Sequence, residues 1–225
     1  MTAAPFWDAH AAQRLAHGPP QPLQPPARLE WTQRPGIGPA ADLLGDNLTG
    51  LRILELGCGA GHNTAHLAAV GALAIGVDRS TGQIERANAH YGHTGALFTQ
   101  APAVGYLRRG IGHLDAIFSV FGAIGTSEPS RLLGACSRRL GRHGVLAFSV
   151  PHPRRTGVIP LRPRHREAAA LPDGTSGSVD RFDVAPASWA CYLNRAGLLV
   201  TGLHDHFAPV DAQWPTTLLV TARKP

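Results

Sequence analysis

From residue 51 onward, short apolar runs alternate with stretches of helical spacing. Residues 52–56, Arg-Ile-Leu-Glu-Leu, end in glycines and predict a buried parallel strand, with a helical stretch following over residues 60–70. A second strand is predicted over 73–77, after which Ile84, Ala87 and Tyr91 recur at helical spacing. Residues 96–99 and 114–119 predict strands three and four. Pro129 suits the first turn of a helix whose apolar face is Leu132, Leu133, Cys136 and Leu140, and residues 145–150 predict strand five. Trp189, Leu193 and Ala196 mark a further helix stopped by Gly197, with strands expected over 198–203 and 216–222. Residues 151–183 show no clear periodicity, carry several arginines, prolines and glycines, and are expected to form a loop.

Before residue 51 the pattern is different. Residues 17–26 contain five prolines and cannot sustain a helix, because each proline removes an amide donor and crowds the preceding turn. They separate a short helical segment, residues 6–15, which is expected to fold back as a cap. Pro39 opens a second short helical pattern ended by Gly45. The expected organisation is a cap and linker over residues 1–50 and one globular unit over 51–225. Its fold class is α/β, a Rossmann-like three-layer sandwich around a mostly parallel sheet, with ligands at the carboxyl ends of the strands.

One motif carries chemistry. Glu55-Leu-Gly57-Cys58-Gly59-Ala60-Gly61 follows the first strand and opens the first helix. Glycines let the backbone turn tightly and approach a ligand, and the helix start presents free amides. A dinucleotide loop would place its third glycine at position 62, where this chain has His62, so a nicotinamide-dependent oxidoreductase is disfavoured. A carboxylate beside a diphosphate would repel it, so Glu55 points to a ligand with an ammonium group. Asp78 ends the second strand, where its carboxylate can accept from both hydroxyls of a ribose. An amino acid at one end and a nucleoside at the other describes S-adenosylmethionine (SAM).

These residues resemble the class I SAM-dependent methyltransferase family, over residues 51–150 and more loosely to the C-terminus. The resemblance implies a seven-stranded sheet with an antiparallel last strand, SAM as cofactor and S-adenosylhomocysteine as product. It implies that Glu55, Gly57, Cys58, Gly59 and Gly61 line the methionine end. Asp78 would hold the ribose, with Arg79, Ser80 and Gln83 nearby, and Ser119, Val120 and Phe121 would floor the pocket. Residues 140–144 look like the family's turn before strand five, and residues 149–153, Ser-Val-Pro-His-Pro, resemble small-molecule methyltransferases of actinobacterial type. After strand three the chain reads Gln100-Ala101-Pro102, with Pro102 where the family places an acid, so adenine would be met by backbone or by Gln100.

Methyl transfer from a sulfonium needs positioning, plus a base where the acceptor must lose a proton. His152, at the end of strand five, is the candidate base by position. His204-Asp205-His206 could suggest a metal, but neighbours on a strand face opposite sides, and an exposed polar strand end is preferred; no metal is expected. Trp7, Trp31 and Trp214 could stack on adenine or substrate, but core or cap packing is the commoner role of a tryptophan and is read first. Cys58, Cys136 and Cys191 lack the spacing of a zinc or disulfide framework.

The formal charge of +6 would suit nucleic acid or an anionic substrate, yet residues 119–122 lack the sequence elements with which nucleic-acid methyltransferases grip a base. The expected function is therefore methylation of O, N or C of a small molecule, with a specialised metabolite as the expected acceptor. RNA methylation and a non-catalytic SAM-binding regulator are the alternatives. No signal peptide or membrane span is evident, so a cytoplasmic monomer or homodimer is expected.

Overall fold

The computed structural model describes residues 3–15, 21–158, 160, 162–171, 173–174, 176–207 and 209–225. Residues 17–20, the first part of the proline-rich run, lie outside the described residues. In chain order the elements are α1 (Ala3–Leu15), β1 (Arg52–Leu56), α2 (His62–Ala69), β2 (Leu73–Asp78), α3 (Thr81–Tyr91), β3 (Leu97–Gln100) and α4 (Ala103–Arg109). They continue with β4 (Leu114–Val120), α5 (Pro129–Arg139), β5 (Leu140–Pro151), β6 (Arg164–Ala170), β7 (Ser176–Phe182), α6 (Pro186–Arg195), β8 (Leu199–His206) and β9 (Thr217–Arg223). Among the described residues no helix is long and apolar enough to cross a membrane.

Seven strands form one sheet in the order β3-β2-β1-β4-β5-β9-β8, with β9 antiparallel to both neighbours. The strand order reverses between β1 and β4, which opens a crevice at their carboxyl ends. Alternating residues of the central strands face opposite layers. Leu54, Leu56, Ile117, Leu146 and Phe148 pack with α5 and α6, while Ile53, Ala116, Phe118 and Ala147 pack with Leu67 of α2 and with Trp31. Burial on both sides is why these strands read as continuous apolar runs. Trp31 is fully buried edge-on to Phe118, and its indole donates to the Ala40 carbonyl.

One expectation is corrected and one element is added. Residues 151–183 are not all loop: β6 and β7 pair antiparallel as a separate hairpin, from Arg164 opposite Phe182 to Ala170 opposite Ser176. The sequence pattern also missed α4, seven residues long with Leu107 as its buried member. The hairpin packs against α1 through Phe6, Leu171 and Val179, so the expected cap is built from both segments. At the other end of the sheet Lys224 folds its ammonium under α5 and donates to the Ser137 and Leu140 carbonyls at 2.7 and 2.9 Å, satisfying groups that the helix end leaves open.

Candidate active site

The loop after β1 is fixed to the sheet by its own backbone. The amides of Gly57 and Cys58 both donate to the Val77 carbonyl, at 2.8 and 3.0 Å. Gly57 sits at φ +80°, and a Cβ there would lie 2.6 Å from the Ala123 amide nitrogen, so the loop closes only around a glycine. Gly61 starts α2 at φ +85° and leaves room for the Phe98 ring, which a Cβ would meet at 2.7 Å.

Asp78, at the end of β2, is tied to this loop. One of its carboxylate oxygens accepts from the Gly59 amide at 3.0 Å and the other from the Ser80 amide at 2.9 Å. Burial raises its pKa, and the backbone bonds work against that rise. Ser80 caps α3 by accepting from the Gln83 amide, and its hydroxyl donates to Asp8 of α1 at 2.6 Å. The Gly82 amide also donates to Asp8, at 3.3 Å, and Gly82 passes so close to Ala11 that a Cβ would stand 2.8 Å from it. α1 is thereby docked on the start of α3.

Two cavities meet at Gly57, Gly59 and Gln83. The first, of about 280 Å³, is walled by Trp7, Asp78, Arg79, Ala101, Pro102 and Phe121, and Val104, Gly122 and Ser127 also line it. Phe121 holds φ +47°, a strained conformation for a residue with a side chain. The second, of about 520 Å³, is lined by Glu55, Cys58, His62, Asn63, Arg86 and Val120, together with His10 and Arg14 from α1.

Glu55 is only 3% exposed. Its carboxyl accepts from the Thr64 hydroxyl, and burial pushes its pKa up to about 8. Burial likewise raises the Cys58 thiol well above its ordinary value, so it stands protonated. Burial, then Arg14 and Arg86, lower the pKa of His10; burial, then Arg86 and His90, lower that of His62.

Other expected residues lie elsewhere. The Gln100 amide donates to the Arg79 carbonyl at 3.0 Å and does not line the first cavity, whereas Ala101 and Pro102 do. Ser119 is fully buried below the floor, donating to the Leu56 carbonyl at 2.8 Å. His152 is 2% exposed and lines neither cavity. Its Nδ1 accepts from the Arg154 amide, which leaves the proton on Nε2, 3.2 Å from Asp205 of β8. Among the described residues no group of three or more His, Cys, Asp or Glu is arranged to hold a metal.

The cavity walls also include Trp7, read from the sequence first as packing, and three residues that the sequence reading did not single out. His10 and Arg14 come with Trp7 from α1, and Arg86 comes from α3. Their signal was available: Trp7, His10 and Arg14 stand at i, i+3 and i+7, one face of a helix.

Comparison with known proteins agrees with this geometry. Residues 53–144 match the family model described as a methyltransferase domain. A ubiquinone biosynthesis O-methyltransferase of Aromatoleum aromaticum is 26% identical over 77% of this chain and 70% of its own length. The chain spans 58% and 36% of two further relatives of that name, from Dinoroseobacter shibae and Ruegeria pomeroyi. Among solved structures, a SAM-dependent methyltransferase of Mesorhizobium loti superposes with a TM-score of 0.62 at 23% identity, over 79% of this chain and 93% of that one. A DhpI complex with S-adenosylhomocysteine superposes with a TM-score of 0.65 at 20% identity, over 98% and 94%. The glycine loop after β1, the acid that ends β2 and the strand order thus coincide with a methyltransferase-domain match over residues 53–144, on a fold that this chain shares with solved SAM-dependent methyltransferases.

Proposed function

We propose that the two joined cavities hold SAM at full length and that the chain methylates a small-molecule acceptor. The fit to the cofactor rests on the donor set. Asp78 has carboxylate lone pairs left for ribose hydroxyls, and Ala101, Pro102 and Val104 offer an apolar wall for adenine. Glu55 lies beyond Gly57, where an ammonium would come. Bound there, the cofactor supplies an electrophilic methyl on a sulfonium.

The chain's own contribution is placement and exclusion of water. The amide bonds of Gly57 and Cys58 to Val77 hold the loop rigid, and Gly59 orients Asp78. Phe121 and Trp7 wall the cleft. In this reading Ser119 and Gln100 act as supports of the floor and of the Arg79 turn. His152, outside both cavities, shapes the end of β5 and carries no proton transfer.

The observation that carries the small-molecule reading is the two-part cover. Trp7 closes the first cavity while its helix is pinned by Asp8 to Ser80 and by Phe6 to the hairpin, where a Cβ on Gly177 would overlap the Phe6 ring at 2.5 Å. A cleft covered in this way suits a compact acceptor better than a polymer. The relatives named as O-methyltransferases favour oxygen as the methylated atom.

Calorimetric titration with SAM, S-adenosylhomocysteine and NAD, alongside Asp78→Ala, tests the cofactor. Binding of the first two only, lost in the variant, is expected. Transfer of labelled methyl to catechols and phenols, with bulk RNA as competitor, tests the acceptor. Labelling of RNA but of no small molecule would refute the acceptor reading.

A further inference from the structure

The first cavity continues at the end away from Glu55. The second cavity joins it at Gly57, Gly59 and Gln83, whereas a third hollow, an open groove of about 390 Å³, joins it at Pro102, Val104 and Ser127. The groove runs between the starts of α4 and α5, with Gly105 and Arg108 on one wall and Glu128 and Arg131 on the other. Pro102, at its mouth, is exposed, precedes the first residue of α4 and has no amide proton to donate. Its carbonyl is taken by the Tyr106 amide at 3.0 Å.

The polar groups around that mouth are committed elsewhere. The Ala101 amide donates to the Asp78 carbonyl at 2.8 Å, and the Gln100 side chain to the Arg79 carbonyl. Among the described residues Asp78 is the one acid lining the first cavity, and its carboxylate is turned to the Gly59 and Ser80 amides. Glu128, the one acid lining the groove, accepts from the Ser130 and Arg131 amides at 3.2 and 2.8 Å. With ribose over Asp78 and the purine resting on Ala101, Pro102 and Val104, the ring edge opposite the sugar faces the mouth, and that edge carries the 6-amino group. No carboxylate stands there to accept from it, so its hydrogen bonds go to water in the groove. We propose that the pocket does not read the 6-position of the purine, and that the groove between α4 and α5 receives substituents carried there. The ligand class is an adenosyl cofactor or product with an alkylated 6-amino group. This rests on the SAM reading above and adds a specificity to it, set by Pro102 and by the opening beyond.

Calorimetry on the full chain compares S-adenosylhomocysteine with its N6,N6-dimethyl and N6-benzyl derivatives. The dimethyl compound keeps every ring nitrogen but can donate no hydrogen bond from the 6-position. A lost bond to a charged partner would weaken binding by about 10- to 100-fold; here all three Kd values should agree within about five-fold. Gly105→Phe and Arg131→Trp fill the groove from opposite walls. Gly105 lines neither cavity, and a Cβ there meets nothing nearer than the movable Arg109 guanidinium at 3.4 Å, so α4 tolerates the change; thermal unfolding checks both variants. By crowding, each should raise the ratio of the benzyl Kd to the parent Kd by about 10-fold, with the parent Kd itself changed by less than about two-fold. A spread beyond about five-fold in the unaltered chain, or a ratio that stays put in the filled variants, would overturn the proposal while leaving the cofactor assignment standing. If S-adenosylhomocysteine itself is not bound, the cofactor reading falls and takes this one with it.

Discussion

Replacing Glu55 by Gln should make the ligand-free protein more stable and the cofactor weaker. Glu55 has its folded pKa raised from 4.5 to about 8, chiefly by burial. A carboxyl shifted upward is a liability as pH rises: the folded chain keeps the proton that the unfolded chain releases. Stability linked to this group is therefore greatest below the unfolded value, falls as pH climbs from 4.5 to 8, and is flat beyond. At pH 7 the gap to the unfolded value is about 2.5 units, which at 1.36 kcal/mol per unit amounts to about 3 kcal/mol; above pH 8 it saturates near about 5 kcal/mol. Gln is neutral at every pH and keeps an oxygen to accept from Thr64, so the variant should gain about those amounts. Urea unfolding of both proteins from pH 5 to pH 9 gives the difference, in which the histidines and other shared groups cancel. The expected difference grows from under about 1 kcal/mol at pH 5 to several at pH 9, while affinity for S-adenosylhomocysteine drops because its ammonium loses a carboxyl that can ionise as the ligand binds. A difference that does not vary with pH would refute the account of Glu55 as a buried carboxyl held protonated.

Two further changes test the frame around the cleft. Gly57→Ala combines a left-handed backbone with a Cβ 2.6 Å from the Ala123 nitrogen, and should lower stability by about 3 kcal/mol or more, with a melting temperature unchanged within 2 °C as the refuting result. Arg155→Ala should cost about 3 kcal/mol in urea unfolding, because it strands the nearly buried Asp183 that Arg155 meets at 2.8 Å; Arg155→Lys should recover part, and a loss below about 0.5 kcal/mol would show the pair to be dispensable.

The sheet and the glycine loop were legible because their causes are local. The apolar runs of β1, β4 and β5 are buried on both faces, and Gly57 and Gly61 announce turns that other residues cannot make. The hairpin was not legible, because β6 begins Arg-His-Arg-Glu and carries no apolar alternation. What orders it is contact across the strands and with the rest of the fold: Arg181 to Glu167 at 2.7 Å, and Arg155 to Asp183. The surroundings of His152 depend on Asp205, which only the placement of β8 brings near. The bond from the Gln100 amide to the Arg79 carbonyl likewise joins residues 21 positions apart. The contacts of α1 with α3 run between residues more than 70 positions apart, as in Asp8 with Ser80, and no window along the chain can contain both partners.

Lys224 is the single lysine of a chain otherwise furnished with arginine, and its ammonium is occupied by two helix-end carbonyls. An amine-selective acylating reagent thus has one side-chain target, and reaching it requires those two bonds to part. The rate of that one modification would time the local opening of the seam between α5 and the C-terminal strand, separately from global unfolding, without any label being introduced.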